Sequence, residues 1–386
     1  MPSVVSNSVG ARRLPYRVEH VGSLLRPAEL KEARTRYESG ALTADEFRAI
    51  EDQCVARAIR QQQETGLKIV TDGEFRRLYW HFDFFAGLEG VELVKEEFMM
   101  PLSAAEARAA FVHRHHPEVT GRISWKSPHP FVQDFRFVAD HVGNGIAKHT
   151  IPAPGCLHYV CGPQAVTGGF YREMDSVLKD LTRANADAVR AFADAGCRYL
   201  QIDDPIVTVL CDPRQVAQAR ERGVYYDGLR RDYLEAIDAG TRERPADMII
   251  GVHLCRGNFM SNWVAAGGYE PIAEQLFGGI DADVYFMEYD NERSGGFEPL
   301  RYLPKGHKTV VLGLVTSKLG ELENKDQIKR RIDEAAKYVP LEQLALSPQC
   351  GFASTEEGNN ITEEQQWAKL RLCVDVAREV WGNNAV

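Results

Sequence analysis

The sequence contains no stretch of about 18 uninterrupted apolar residues of the kind that spans a bilayer, and its first residues, 1–13, lack the apolar run of a secretory signal. No run of about five or more basic residues occurs either. The 46 Lys and Arg are outnumbered by 55 Asp and Glu, for a formal charge of −9. Nucleic acid and membrane surfaces, both polyanionic, are therefore not expected as partners, and a cytoplasmic location is expected. Cysteine is scarce, with 8 in 386 residues. That is too few for a disulfide framework, and leaves core packing, reactive thiols or metal ligation as their uses. Internal repeats, low-complexity tracts and Pro/Gly/Ser-rich linkers are absent, so nothing divides the chain into halves.

What is present is a set of short apolar, β-branched runs at 18–24, 68–74, 148–154, 199–205, 248–255, 284–289, 309–315 and 344–350. Segments with helical periodicity lie between most of them: 43–65, 173–195, 227–239, 325–338 and 362–381. The first of these carries Phe47, Ile50, Cys54, Ala58 and Ile59 on one stripe behind a Thr43-to-Glu46 capping box. Eight apolar strands alternating with helices predict an α/β fold with an all-parallel sheet closed into a (β/α)8 TIM barrel over 14–386, with 1–13 a flexible start. A doubly wound open sheet is the runner-up, but the first run, Val21-Gly-Ser-Leu24, offers no glycine-rich phosphate loop. Between 81 and 147 the alternation breaks into aromatic clusters and prolines, which predicts an insertion after the second strand, over the barrel mouth.

Side chains at the C-terminal ends of barrel strands build the active site. Here those ends carry Gly22-Ser23, Asp72-Gly-Glu74, Asp203-Asp204, His253-Leu-Cys255, Glu288 and Cys350. His253 and Cys255, two apart on a strand, share a face. Glu288 and Cys350 end later strands, so closure of the barrel can bring all four around one ion. Taken singly, each of the cysteines reads as a small core residue and His253 as a hydrogen-bonded core histidine; the four together at strand ends read as a borderline-soft set that favours zinc. Two thiolates and a carboxylate leave such an ion a weak Lewis acid. It would activate water poorly but would hold an incoming thiol as a nucleophilic thiolate, so thiol alkylation is the expected reaction class.

Val21-Gly-Ser-Leu24, Thr71-Asp-Gly-Glu74, Gln201-Ile-Asp-Asp-Pro205, His253-Leu-Cys255, Glu288 and Ser347-Pro-Gln-Cys-Gly351 resemble, in order and spacing, the catalytic barrel of cobalamin-independent methionine synthase and its short single-barrel relatives. The resemblance implies zinc held by His253, Cys255, Glu288 and Cys350. It also implies Ser23 on the carboxylate of a homocysteine-like thiol, Glu74 and Asp203 on its ammonium, and methyltetrahydrofolate as the alkyl donor. The chain departs from that family in the loop after the seventh strand. There the family carries a histidine thought to protonate the leaving nitrogen, whereas this loop reads Gly313-Leu-Val-Thr-Ser-Lys318. The proton donor is either missing or Lys318, which can serve as an acid, bind an anionic group or stand solvated. Two alternatives follow: an epoxide:thiol transferase or lyase of the coenzyme M type, and a non-catalytic thiol- or metal-binding barrel. Oligomeric state is left open. The aromatic run at 79–85 is a stacking wall or packing for the insertion, and His113-Arg-His-His116 is expected to be a solvated loop.

Overall fold

The computed structural model describes residues 12–383 apart from 97, 100–111 and 114. Six strands form one parallel sheet in sequential order: His149–Pro152, Tyr199–Asp203, Ile249–Leu254, Val284–Glu288, Thr309–Val315 and Leu344–Pro348. Every residue in the second and in the last three of these is buried, as expected of strands covered by helices outside and packed side chains within. The second predicted strand is shorter, Ile69–Val70, and pairs in parallel with Ile146–Ala147, which runs on into the third strand. The first forms a single bridge, Val18 to Leu346, flanked by Glu19 N donating to Leu346 O at 2.9 Å and Leu346 N donating to Arg17 O at 2.9 Å. Leu24 N donates to Gly73 O at 3.0 Å on its other side. These contacts join the first segment to the eighth strand and the second, closing the barrel.

Helices fill the connections where the periodicity placed them. Thr43 caps Ala44–Thr65 through the reciprocal bonds with Glu46, and Thr362 does the same with Gln365 for Glu363–Trp381. The stretch expected as an insertion ends in a regular helix, Pro130–His141, capped by the His129 side chain and burying Phe131, Phe135 and Val138. It packs on Ala44–Thr65 and is the barrel's own helix after the second strand. The inserted material proper is an antiparallel pair, Glu89–Val94 with His116–Ser124. It seats on the helices Pro154–Thr167 and Met174–Asp194, with Val119 bonded to Gln164 and Ile123 N to the Oη of Tyr171 in the turn between the two helices. Residues 1–11 of the expected flexible start lie outside the described residues. Arg12 and Arg13 are tied down, to Asp281 at 3.0 Å and to Glu342 O at 2.9 Å. No described helix is long and apolar enough to cross a membrane.

Candidate active site

The fifth strand ends on His253 and Leu254, and Cys255 follows. Cys350 lies two residues beyond the eighth strand. Barrel curvature turns these ends inward, and one ligand atom each from His253, Cys255 and Cys350 falls within a 4.8 Å group, all buried. His253 Nε2 stands 3.5 Å from Cys350 Sγ. Two ligands on one tetrahedral zinc, with Zn–N about 2.05 Å and Zn–S about 2.3 Å, stand roughly 3.5 Å apart, so the pair has the spacing that an ion would impose. In the protein without metal, the hydrogen bond from Cys255 holds the Cys350 thiol well below its ordinary value and raises that of Cys255 itself. Burial opposes charge on His253, but the hydrogen bond and charge of Cys350 carry its pKa up. The three side chains thus interact directly with one another.

Glu288 stands outside that group. Its Oε2 accepts from Arg256 N at 2.9 Å and its Oε1 from Arg293 Nη2 at 3.1 Å and from Gln349 Nε2. Burial disfavours the charge, yet Lys318, Arg293 and Arg256 together hold the carboxyl below its usual value. Both oxygens are therefore already engaged.

His253, Cys255 and Cys350 line a cavity of about 40 Å³ together with Ser23, Glu74, Asp203, Trp80 and Asn258. Ser23 is placed by Phe352 N donating to its carbonyl at 3.0 Å, and its Oγ accepts from Ala353 N at 3.3 Å. Glu74 adopts φ 59°, a left-handed conformation rare outside glycine, with its N–H taken by Asp72 Oδ1 at 2.9 Å and its carbonyl by Arg26 Nη2 at 2.8 Å. Thr150 Oγ1 donates to Glu74 Oε1 at 2.8 Å, while Oε2 has no partner. Gln201 Nε2 donates to Asp203 Oδ1 at 2.7 Å. Burial pushes the Asp203 carboxyl up to about 7, and the neighbouring charge of Glu74 adds to the rise. Burial raises Glu74 as well. The two carboxyls thus resist ionising together, and Arg77 Nη1 stands 3.5 Å from Glu74 Oε1. Asp204, the other half of the acidic pair, is the N-cap of Pro205–Val209 through bonds to Ile206 N and Val207 N.

Lys318 is buried but does not line the cavity. Its Nζ donates to Asn258 Oδ1 at 3.1 Å, and Asn258 Nδ2 donates to Gly351 O at 2.9 Å. Of the aromatic run, Trp80 reaches the cavity, whereas Phe84 packs edge-on against Phe85 and Phe131. His116 Nε2 lies 3.3 Å from Glu118 in the inserted pair; the side chains of 113 and 114 lie outside the described residues. Asn258 and Lys148 carry no motif that marks them as site residues, and Gln201, although it opens the Gln201-Ile-Asp-Asp-Pro205 motif, is not itself singled out by it.

The model of the family described as "Cobalamin-independent synthase, Catalytic domain" matches residues 142–379. The uncharacterized protein YxjH of Bacillus subtilis is 45% identical over 372 residues, covering 96% of each chain. The methionine synthase of Pyrococcus abyssi is 23% identical over 338 residues, 86% of this chain and 85% of that one. A crystal structure from Listeria monocytogenes, of a candidate vitamin-B12 independent methionine synthase, superposes with TM-score 0.75 at 40% identity, covering 96% of this chain and 100% of that one. A B12-independent methionine synthase from Shewanella, at 18% identity and TM-score 0.71 over 96% and 98%, shares the fold. With the strand-end motifs, the closed parallel barrel and these matches in agreement, the chain belongs to the cobalamin-independent synthase catalytic-domain family.

Proposed function

We propose that this chain transfers a methyl or other alkyl group to a homocysteine-like thiol. The observation that carries the reading is one cavity lined by two sets of groups: His253, Cys255 and Cys350, and Ser23, Glu74 and Asp203. His253, Cys255 and Cys350 would hold zinc, with Glu288 as a weak fourth ligand that must first give up a donor. When bound, zinc lowers the pKa of an incoming thiol and keeps it nucleophilic. Glu74 and Asp203 take the substrate ammonium, whose charge relieves the cost of ionising two neighbouring buried carboxyls. Ser23 takes the substrate carboxylate. Fixed in this way, the thiol meets the electrophilic carbon in line: the new C–S bond forms as the bond to the leaving group breaks, and the thiol proton leaves to solvent. Methyltetrahydrofolate is the donor that the family relationship favours, with the leaving nitrogen needing a proton.

A second reading, ring-opening of an epoxide by a thiol, is favoured by Lys318, which stands where a histidine donor is expected and donates a hydrogen bond to Asn258 Oδ1. A non-catalytic thiol- or metal-binding barrel would need no electrophile. Metal analysis of the purified protein should find about one zinc per chain. Methionine formed from homocysteine and methyltetrahydrofolate at turnover rates removes the second reading; thioether formed only from a small thiol and an epoxide removes the first. Tight binding of zinc and thiol without alkylation across a donor panel leaves the third.

A further inference from the structure

The barrel interior holds a lysine that the chemistry above does not use. Lys148, between the two short runs of the third strand, is completely buried. Its Nζ donates to Glu19 Oε1 at 3.2 Å, to Gln201 Oε1 at 3.1 Å and to His20 O. Its three N–H groups are thereby spent inside the barrel, with the Phe286 ring 4.6 Å below. Burial of such a pair gains little over apolar packing of the same volume, so stability does not account for it.

Its effect falls on Gln201, whose Nε2 donates both to Val21 O at 2.8 Å and to Asp203 Oδ1 at 2.7 Å. The amide has two faces, and all three neighbours agree on one. Reversing it would aim the oxygen at two acceptors and the NH2 group at a cation. The rotation of Gln201 is therefore fixed from below by Lys148, and one oxygen of Asp203 is fixed from below by Gln201. The other oxygen is left for a ligand in the cavity that Asp203 lines.

We infer that Gln201, locked by Lys148, is a positioning residue that aims Asp203 at the ammonium of the thiol substrate. This rests on the reading of Asp203 as an ammonium partner. The interior ion pair then sets specificity for amino-acid thiols, acting through two side chains without touching the substrate.

The test is calorimetric titration of the zinc-loaded protein with L-homocysteine and with 4-mercaptobutanoate, which is the same thiol without its amino group. The wild-type protein should prefer homocysteine by about tenfold or more. Gln201→Met should cut that preference by about tenfold and leave 4-mercaptobutanoate affinity unchanged. Gln201→Asn keeps an amide for Lys148 but is one methylene too short to reach Asp203 as well; it should show the same loss, and so provides the test if the Met variant fails to fold. A general structural defect would weaken both thiols alike, and that result overturns the proposal. So does full retention of the preference in both variants, with the ammonium reading left standing. A wild-type protein that binds the two thiols equally overturns the ammonium reading along with the proposal.

Discussion

Gly351 abuts Ser23: a Cβ at position 351 would overlap the serine Oγ and stand 3.1 Å from its Cβ and 3.4 Å from its N. The residue after Cys350 must therefore lack a side chain for Ser23 to keep the rotamer that faces the cavity. Gly351→Ala should displace the hydroxyl, raise the KM for a carboxylate-bearing thiol by about tenfold and leave zinc content intact. Steady-state kinetics beside Ser23→Ala check it. If the two variants behave differently, the contact is not what places Ser23.

The four residues proposed to hold zinc should not be equivalent. Cys350→Ser should lose the metal, because Cys350 stands with His253 and Cys255 in the group that would hold it. Glu288→Gln should weaken zinc by less than about tenfold, because both carboxylate oxygens already accept from Arg256, Arg293 and Gln349. Competition with a chelator measures both. Equal losses would make Glu288 a full ligand.

X-ray absorption at the zinc edge should count two sulfur scatterers in the free protein and three with homocysteine bound. Thiol binding should also release close to one proton near neutral pH, so affinity falls on acidification. A sulfur count that stays at two would show that thiol activation occurs elsewhere.

Lys318→Met and Asn258→Ala should give the same defect, about tenfold in kcat/KM, since the lysine reaches the cavity wall only through Asn258. A much larger loss of kcat in the lysine variant alone would identify Lys318 as the acid for the leaving group.

Acid stability offers a test away from the site. His158, bonded to Tyr233 Oη at 2.8 Å and Met174 O at 3.1 Å, is held neutral by burial, with its pKa pushed down to about 4. Unfolded chains take that proton below the ordinary value of 6.5, and the folded protein does not until about 4. Stability is therefore full above 6.5 and is lost as pH falls from there toward 4. His158→Gln should reduce the slope of stability against pH in that window by up to one proton, about 1.4 kcal/mol per pH unit. Urea titrations at pH 7 and pH 5 read it.

How far the sequence foretold this molecule depended on range. The strand runs were legible because strands buried on both faces are continuously apolar, and their ends displayed His253, Cys255, Glu288 and Cys350 without further help. The helix Pro130–His141 was hidden, although Phe131, Phe135 and Val138 repeat at helical spacing, because prolines and aromatics around it imitate a loop. The support of the site was not legible at all. That Lys148 meets Glu19 across 129 residues, or that Lys318 meets Asn258 across 60, follows from barrel closure and not from any local pattern.

The single bridge between Val18 and Leu346 has a consequence for the order in which the molecule is made. Cys350 follows the strand that this bridge docks, 97 residues after His253. A nascent chain thus carries His253 for 97 residues, with Cys255 close behind it, before Cys350 joins them. Closing so long a loop is slow. An ion captured by all three residues would fasten the last strand beside the first, so metal uptake during refolding should follow ring closure rather than precede it.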